Sequence, residues 1–188
     1  MLYLTVIIGG AILIAIFNSI SAFTLELFLS NTLSVAIAVI AIIAFDAISA
    51  LLVRRLTPKS WYTPGKKAFT VSKREREVYH KMKIKKWKDL VPELGVFTGF
   101  SKSEIQDPDD PEYLSRFLLE SNYGVVIHIV NALFGFVIAF IPICSSPSVW
   151  IPVYAVNFIL SILPVMILRY TAYTLHRLYK RSKPSTKI

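Results

Sequence analysis

Glu120 and His128 stand eight residues apart in "LESNYGVVIHIV", inside an apolar stretch where titratable groups are costly and are functional candidates by default. On a helix, eight residues turn about 800° and rise about 12 Å, which leaves the two side chains within roughly 80° of one another. They are too far apart to bond directly, but they can line one hollow open to the cytoplasm. A membrane-embedded imidazole is suited to general-base work near neutral pH. The competing reading of His128 is a packing residue bonded to a carbonyl or to Asn157 on a neighbouring helix. For Glu120 it is a solvated interfacial residue paired with Arg116. Asp46, in "IIAFDAISA", is a third ionisable group in an apolar run, either bound to an inward-reaching Lys or Arg or reserved for a ligand. Asn131 and Asn157 are amides in similar positions.

These groups need a scaffold, and the composition supplies one. Of 188 residues, 54% are hydrophobic and only 18% charged, against about a quarter charged in soluble domains. The mean hydropathy is +0.56. Four segments, Leu2–Phe23, Leu33–Val53, Tyr123–Ile143 and Val149–Leu168, approach the roughly 20 apolar residues that a spanning helix needs. None alternates with period two, and an isolated span in lipid satisfies its backbone only as a helix. The first segment lacks a basic n-region and has too long an apolar core for a secretory signal, so it is read as a permanent helix.

The 21 Lys and Arg divide between 54–120 and 169–188, and the short connections near Glu26 and Cys144 carry none. By the positive-inside rule, both termini and the central block lie in the cytoplasm of a multi-pass cell-membrane protein. The expected fold is therefore an all-α integral membrane protein. It has four transmembrane helices and a basic cytoplasmic insert between helices 2 and 3. Its parts are a hairpin (1–53), the insert (54–119), a second hairpin (120–170) turning at "CSSPSVWIP", and a basic tail (171–188).

The insert opens on "RRLTPKSWYTPGKK", irregular through its Pro and Gly, with Trp61 and Tyr62 suited to headgroup level. In "SKREREVYHKMKIKKW", Ser72 and Glu75 have the spacing of a capping box. Val78, Met82 and the apolar stem of Lys85 form one face of a short interfacial helix, which Pro92 and Gly95 end. After Pro108, an acidic turn begins a further helix that runs toward the third span. "KIKKWKDL" at 83–90 is a basic clamp: Lys86 and Lys88 face anionic headgroups or an anionic donor, Trp87 anchors at the interface, and Asp89 adds a carboxylate.

Several chemistries find no footing. His80, His128 and His176 are scattered without metal spacing, so no metal and no cofactor is expected. There is no P-loop, no dinucleotide fingerprint and no G-x-S-x-G elbow. The single Cys144 permits no internal disulfide. A net charge of +9 points to lipid rather than nucleic acid, because the basic residues adjoin membrane spans.

The order of these elements resembles the glycosyl-4,4'-diaponeurosporenoate acyltransferase family of staphyloxanthin-type carotenoid synthesis, over about residues 73–181. The likeness is carried by "VYHKMKIKKWKDLVP", then "GFSK" at Gly99–Lys102, "EYLSRFLLES", the Glu and His eight apart, and a proline-bearing span ending in Arg169–Tyr170. The family's Lys-Trp-Lys element corresponds to Lys86, Trp87 and Lys88. Between Glu120 and His128 this chain differs, with Ser121, Asn122, Tyr123, Gly124 and Val125. After Tyr170 it has Thr171 and Ala172.

The resemblance implies transfer of a fatty acyl chain from an acyl thioester to a hydroxyl of a membrane-resident, glycolipid-like acceptor, a carotenoid glycoside in that family. His128 would be the base, with Glu120 or Asp89 placing it or holding the acceptor. Lys86, Lys88 and Arg169 would bind phosphates or the oxyanion, and Asp46 would contribute to substrate binding. Because no Ser or Cys has a nucleophile setting, direct transfer is expected. A reading from another class is a non-catalytic lipid-binding or scaffold protein that docks anionic lipid through the insert.

Overall fold

A computed structural model describes residues 2–20, 24–91 and 105–182. Regular structure among them is helical: α1 (Leu2–Ser19), α2 (Leu25–Leu56), α3 (Lys73–Lys81), α4 (Ile84–Trp87), α5 (Pro111–Phe134) and α6 (Pro147–Ser182), with short 3₁₀ turns between. Among the described residues, three helical segments are long and apolar enough to cross a membrane: Leu25–Leu56, Pro111–Phe140 and Pro147–Ser182. The expected first span is the shorter α1, and its projected end at Phe23 lies outside the described residues. The all-helical, membrane-type architecture thus stands with three clear spans where four were expected.

The chain forms two compact units. One comprises 1–52 and 127–162, the other 53–126 and 163–188.

In the first unit, Ala15, Val35, Ala38, Ile42, Ile138, Cys144, Val149 and Val153 form the core. Ala15 and Ala38 are small enough to let helix backbones approach, which substitutes for the hydrophobic drive that lipid does not provide. The end of α1 is closed by side-chain amides, since the last carbonyls of a helix have no partner within it. Asn31 Nδ2 donates to the Asn18 carbonyl at 3.2 Å and to Ser19 Oγ at 3.1 Å, while Asn18 Nδ2 reaches the Ser148 carbonyl at 3.0 Å. The α-helical part of the third span stops at Phe134 and continues as a 3₁₀ turn from Gly135 to Phe140. Gly135 marks a close approach there, because a Cβ would sit 2.9 Å from Asn157 Nδ2 and 3.2 Å from the Tyr154 ring.

In the second unit, Leu114, Phe117 and Leu118 form an i, i+3, i+4 stripe packed on Leu175 of α6, all fully buried. α5 starts where the acidic turn predicts a start. Pro111 takes the first helical position, and Asp110 Oδ1 accepts the Glu112 N–H at 2.8 Å. Ser72 caps α3 as expected, accepting the Glu75 N–H at 3.1 Å. That helix does not continue to Pro92, which lies outside the described residues. It ends at Lys81, and Lys83 adopts the left-handed conformation at φ 54° to start α4 in a new direction. The turn buries Ile84 completely and leaves Val78 and Met82 about half exposed. Tyr62 also departs from expectation: Trp61 is exposed, but Tyr62 is 3% exposed and inside the unit.

Candidate functional site

The second unit gathers most of the polar residues singled out from the sequence, and it does so through ion pairs. Arg54, at the end of α2, meets Glu120 on α5, with Nη2 at 2.6 Å from Oε2 and Nη1 at 3.4 Å from Oε1. The Arg54 guanidinium also lies 5.0 Å from the centre of the Tyr123 ring, within cation–π range. Tyr123 stacks on Tyr62 with centroids 4.0 Å apart, and Asn122 Nδ2 donates to the Tyr62 carbonyl at 2.8 Å. The stretch Ser121–Val125, where this chain parts from the pattern it resembles, is buried throughout. Its side chains hold the 57–69 segment in place: Thr57 and Tyr62 share a hydroxyl bond of 2.8 Å, and Tyr62 leans on Phe69.

Arg169 is similarly engaged. Its Nε and Nη2 grip Glu75 Oε1 and Oε2 at 2.5 and 2.9 Å, and Nη1 donates to the Ala68 carbonyl at 3.2 Å. Tyr79 adds a hydroxyl bond to Glu75 Oε1 at 2.7 Å. The Arg169 bonds hold the Glu75 carboxyl below the usual carboxylate range, against the opposing effect of burial, with Tyr79 and the Ser72 amide assisting. Arg76 over Tyr173 and His80 edge-on to Tyr170 extend the same α3–α6 contact. Arg169 therefore serves as a strut between α3 and α6.

The basic clamp is a surface feature. Lys81, Lys83, Lys85 and Lys86 are exposed, while Lys88 pairs with its neighbour Asp89 at 2.9 Å. The Asp89 side chain is 75% exposed, a setting in which an ion pair contributes little. Trp87 is part-buried, and its Nε1 donates to the Met82 carbonyl at 3.0 Å, closing the end of α3. "GFSK" lies outside the described residues.

The first unit holds His128, half-buried on α5, and two polar contacts between helices. Ser49 Oγ bonds Asn131 Oδ1, with both residues buried. Asp46 Oδ1 accepts from Asn157 Nδ2 at 3.5 Å, so its partner is an amide, and among the described residues no Lys or Arg is bonded to it. Asp46 and Asn157 line a pocket formed by α1, α2 and α6. Among the described residues, no three His, Cys, Asp or Glu side chains cluster as a metal would require.

Sequence reasoning missed Arg54, Glu75 as an ion-pair partner, and Tyr62 as a core residue. Glu75 stood at a capping-box position, which accounts for its place at the start of α3 and says nothing of a partner 94 residues away.

A helical chain with three apolar helices of membrane-spanning length has the make-up of an integral membrane protein. The chain matches the family model described as glycosyl-4,4'-diaponeurosporenoate acyltransferase over residues 58–181, and it belongs to that family. The match begins upstream of the resembled stretch and takes in the Tyr62 segment, while leaving α1 and α2 outside. Comparison with curated proteins and with solved structures gave no match.

Proposed function

We propose that this protein esterifies a hydroxyl of an amphipathic, membrane-held acceptor with a fatty acyl chain delivered as a thioester. The observation that carries this reading is the acyltransferase family match over 58–181. By that family, the acceptor is a carotenoid glycoside and the hydroxyl belongs to its sugar. Such an acceptor keeps its chain in the bilayer, whereas a thioester of coenzyme A or of acyl carrier protein approaches from the cytoplasm. Placing both termini and the basic segments on the cytoplasmic side, with α1 as a fourth span, brings the two reactants to the same interface.

In this mechanism His128 takes the proton of the acceptor hydroxyl as its oxygen attacks the thioester carbonyl. The C–O bond forms, the C–S bond breaks, and the thiolate leaves with the proton passed on from the imidazole. Lys86 and Lys88 attract the donor's anionic groups. Glu120, held by Arg54, and Asp89 are the acids available to place the imidazole or the acceptor. Anionic membrane lipids favour the exposed Lys81–Lys86 face at about 1 kcal/mol per residue.

The test is turnover of an acyl thioester and a glycolipid acceptor in nanodiscs. His128→Ala should lower kcat by about 10²–10⁴-fold with unchanged membrane insertion. Lys86→Gln with Lys88→Gln should raise the donor KM and spare kcat. Full activity in His128→Ala removes the imidazole from the reaction. If no variant or wild type turns over while Lys→Gln changes weaken vesicle binding additively, the protein is the non-catalytic lipid-docking alternative.

A further inference from the structure

The pocket in the first unit has about 440 Å³ of empty space, part of it open to the outside. Eight of its lining residues come from α1 and α2, outside the family match, and four come from α6. Its walls are Ile, Val, Leu and Ala, with Gly10 beside the space. A Cβ at Gly10 would meet nothing within 4 Å, so that glycine is not there to let two backbones touch. The polar groups of the lining are Asp46 and Asn157.

Asp46 is half-buried in a spanning helix, yet among the described residues the one hydrogen bond to its carboxylate is the 3.5 Å contact with Asn157, at the limit of such a bond. A carboxylate withdrawn from water and so poorly partnered is costly, and it favours a ligand that donates to it. The apolar walls favour a hydrocarbon chain. A plain acyl chain has no donor to offer, whereas a hydroxyl donates to Asp46 and accepts from an Asn157 amide proton.

We infer that this pocket binds a lipid alcohol, its chain between α1, α2 and α6 and its hydroxyl on Asp46 and Asn157. The first helical hairpin then selects which alcohol enters. Identifying that alcohol with the acyl acceptor rests on the acyltransfer reading, but the binding itself does not.

The experiment uses the full chain in phosphatidylcholine nanodiscs and a long-chain primary alcohol carrying a diazirine in its chain. After photolysis, peptides are mapped by mass spectrometry. Labelling is expected on α1, α2 and α6, with hexadecanol competing at least about tenfold better than its methyl ether, which lacks the donor. Gly10→Phe should abolish the labelling and Gly9→Phe should preserve it. Asp46→Leu should erase the preference for alcohol over ether. Equal competition by alcohol and ether in the wild type overturns the proposal, as does labelling unchanged by Gly10→Phe. Alcohol binding without ester formation leaves the pocket standing and removes the acyltransfer reading. Ester formation with no labelling of this pocket does the reverse.

Discussion

Arg169 and Glu75 form a two-point fork, Nε on Oε1 at 2.5 Å and Nη2 on Oε2 at 2.9 Å. It joins the C-terminal half of the last span to the first turn of α3. Arginine suits the task because its planar fork matches a carboxylate at both oxygens, which a lysine ammonium does not. An arginine that the family resemblance marks for anion binding is thereby a brace for the segment that carries the basic clamp.

Glu75→Gln should destabilise the protein in acid-sensitive fashion. Arg169 lowers the folded carboxyl value, so the pair's contribution is complete above the unfolded value near 4.5 and lost as pH falls through the lower folded value. Solvent reaches both side chains, so the effect at pH 7 is about 1 kcal/mol. Thermal unfolding in detergent checks it: wild type and Glu75→Gln differ in Tm at pH 7 and converge well below pH 4.5. A gap that persists in acid refutes the fork's role.

Tyr79 titrates late. Burial, and then its bond to the Glu75 carboxylate, push the phenol up to about 12. The folded value lies above the unfolded one near 10, so the stabilisation is present below pH 10 and lost as pH rises toward 12. A wild-type minus Tyr79→Phe difference titration of phenolate absorbance should step near the higher value. A step near 10 contradicts the contact. At neutral pH, Tyr79→Phe should cost about 1 kcal/mol, the worth of one hydrogen bond.

Ser49 and Asn131 are a buried pair joining α2 to α5. Removing one partner strands the other, so Ser49→Ala should lose about 1–3 kcal/mol. Replacing both, as Ser49→Ala with Asn131→Leu, should recover part of that loss, since neither polar group is then left alone. Unfolding of the two variants side by side decides it, and a double variant no better than additive speaks against the pairing.

Gly135→Ala is predicted to be disruptive out of proportion to one methyl. The new Cβ would press Asn157 Nδ2 at 2.9 Å and the Tyr154 ring at 3.2 Å, and overpacking of this kind costs about 1–3 kcal/mol. Tyr154 also donates to the Ala132 carbonyl at 2.7 Å, so a displaced ring gives up a helix-end bond as well. A lower Tm is expected, and Gly9→Ala, which meets nothing within 4 Å, provides the control.

Helical class, membrane-length spans, the cap at Ser72 and the acidic start of α5 were all legible in the chain. Each is a local property: helix bonds close over four residues, caps over three, and the cost of unpaired backbone in lipid leaves a long apolar run a single solution. The family likeness was legible too, being a matter of motif order. What the letters did not contain was partnership. Arg54 with Glu120, Arg169 with Glu75, Ser49 with Asn131 and Asp46 with Asn157 are separated by 66, 94, 82 and 111 positions. Such pairings depend on how packed helices cross and rotate, which a few side chains at each contact decide and no sequence period records. Lys83 turning left-handed, so that Ile84 enters the core and Met82 stays out, is the same lesson over a single residue: burial of one side chain outweighed the helix preference of its neighbours.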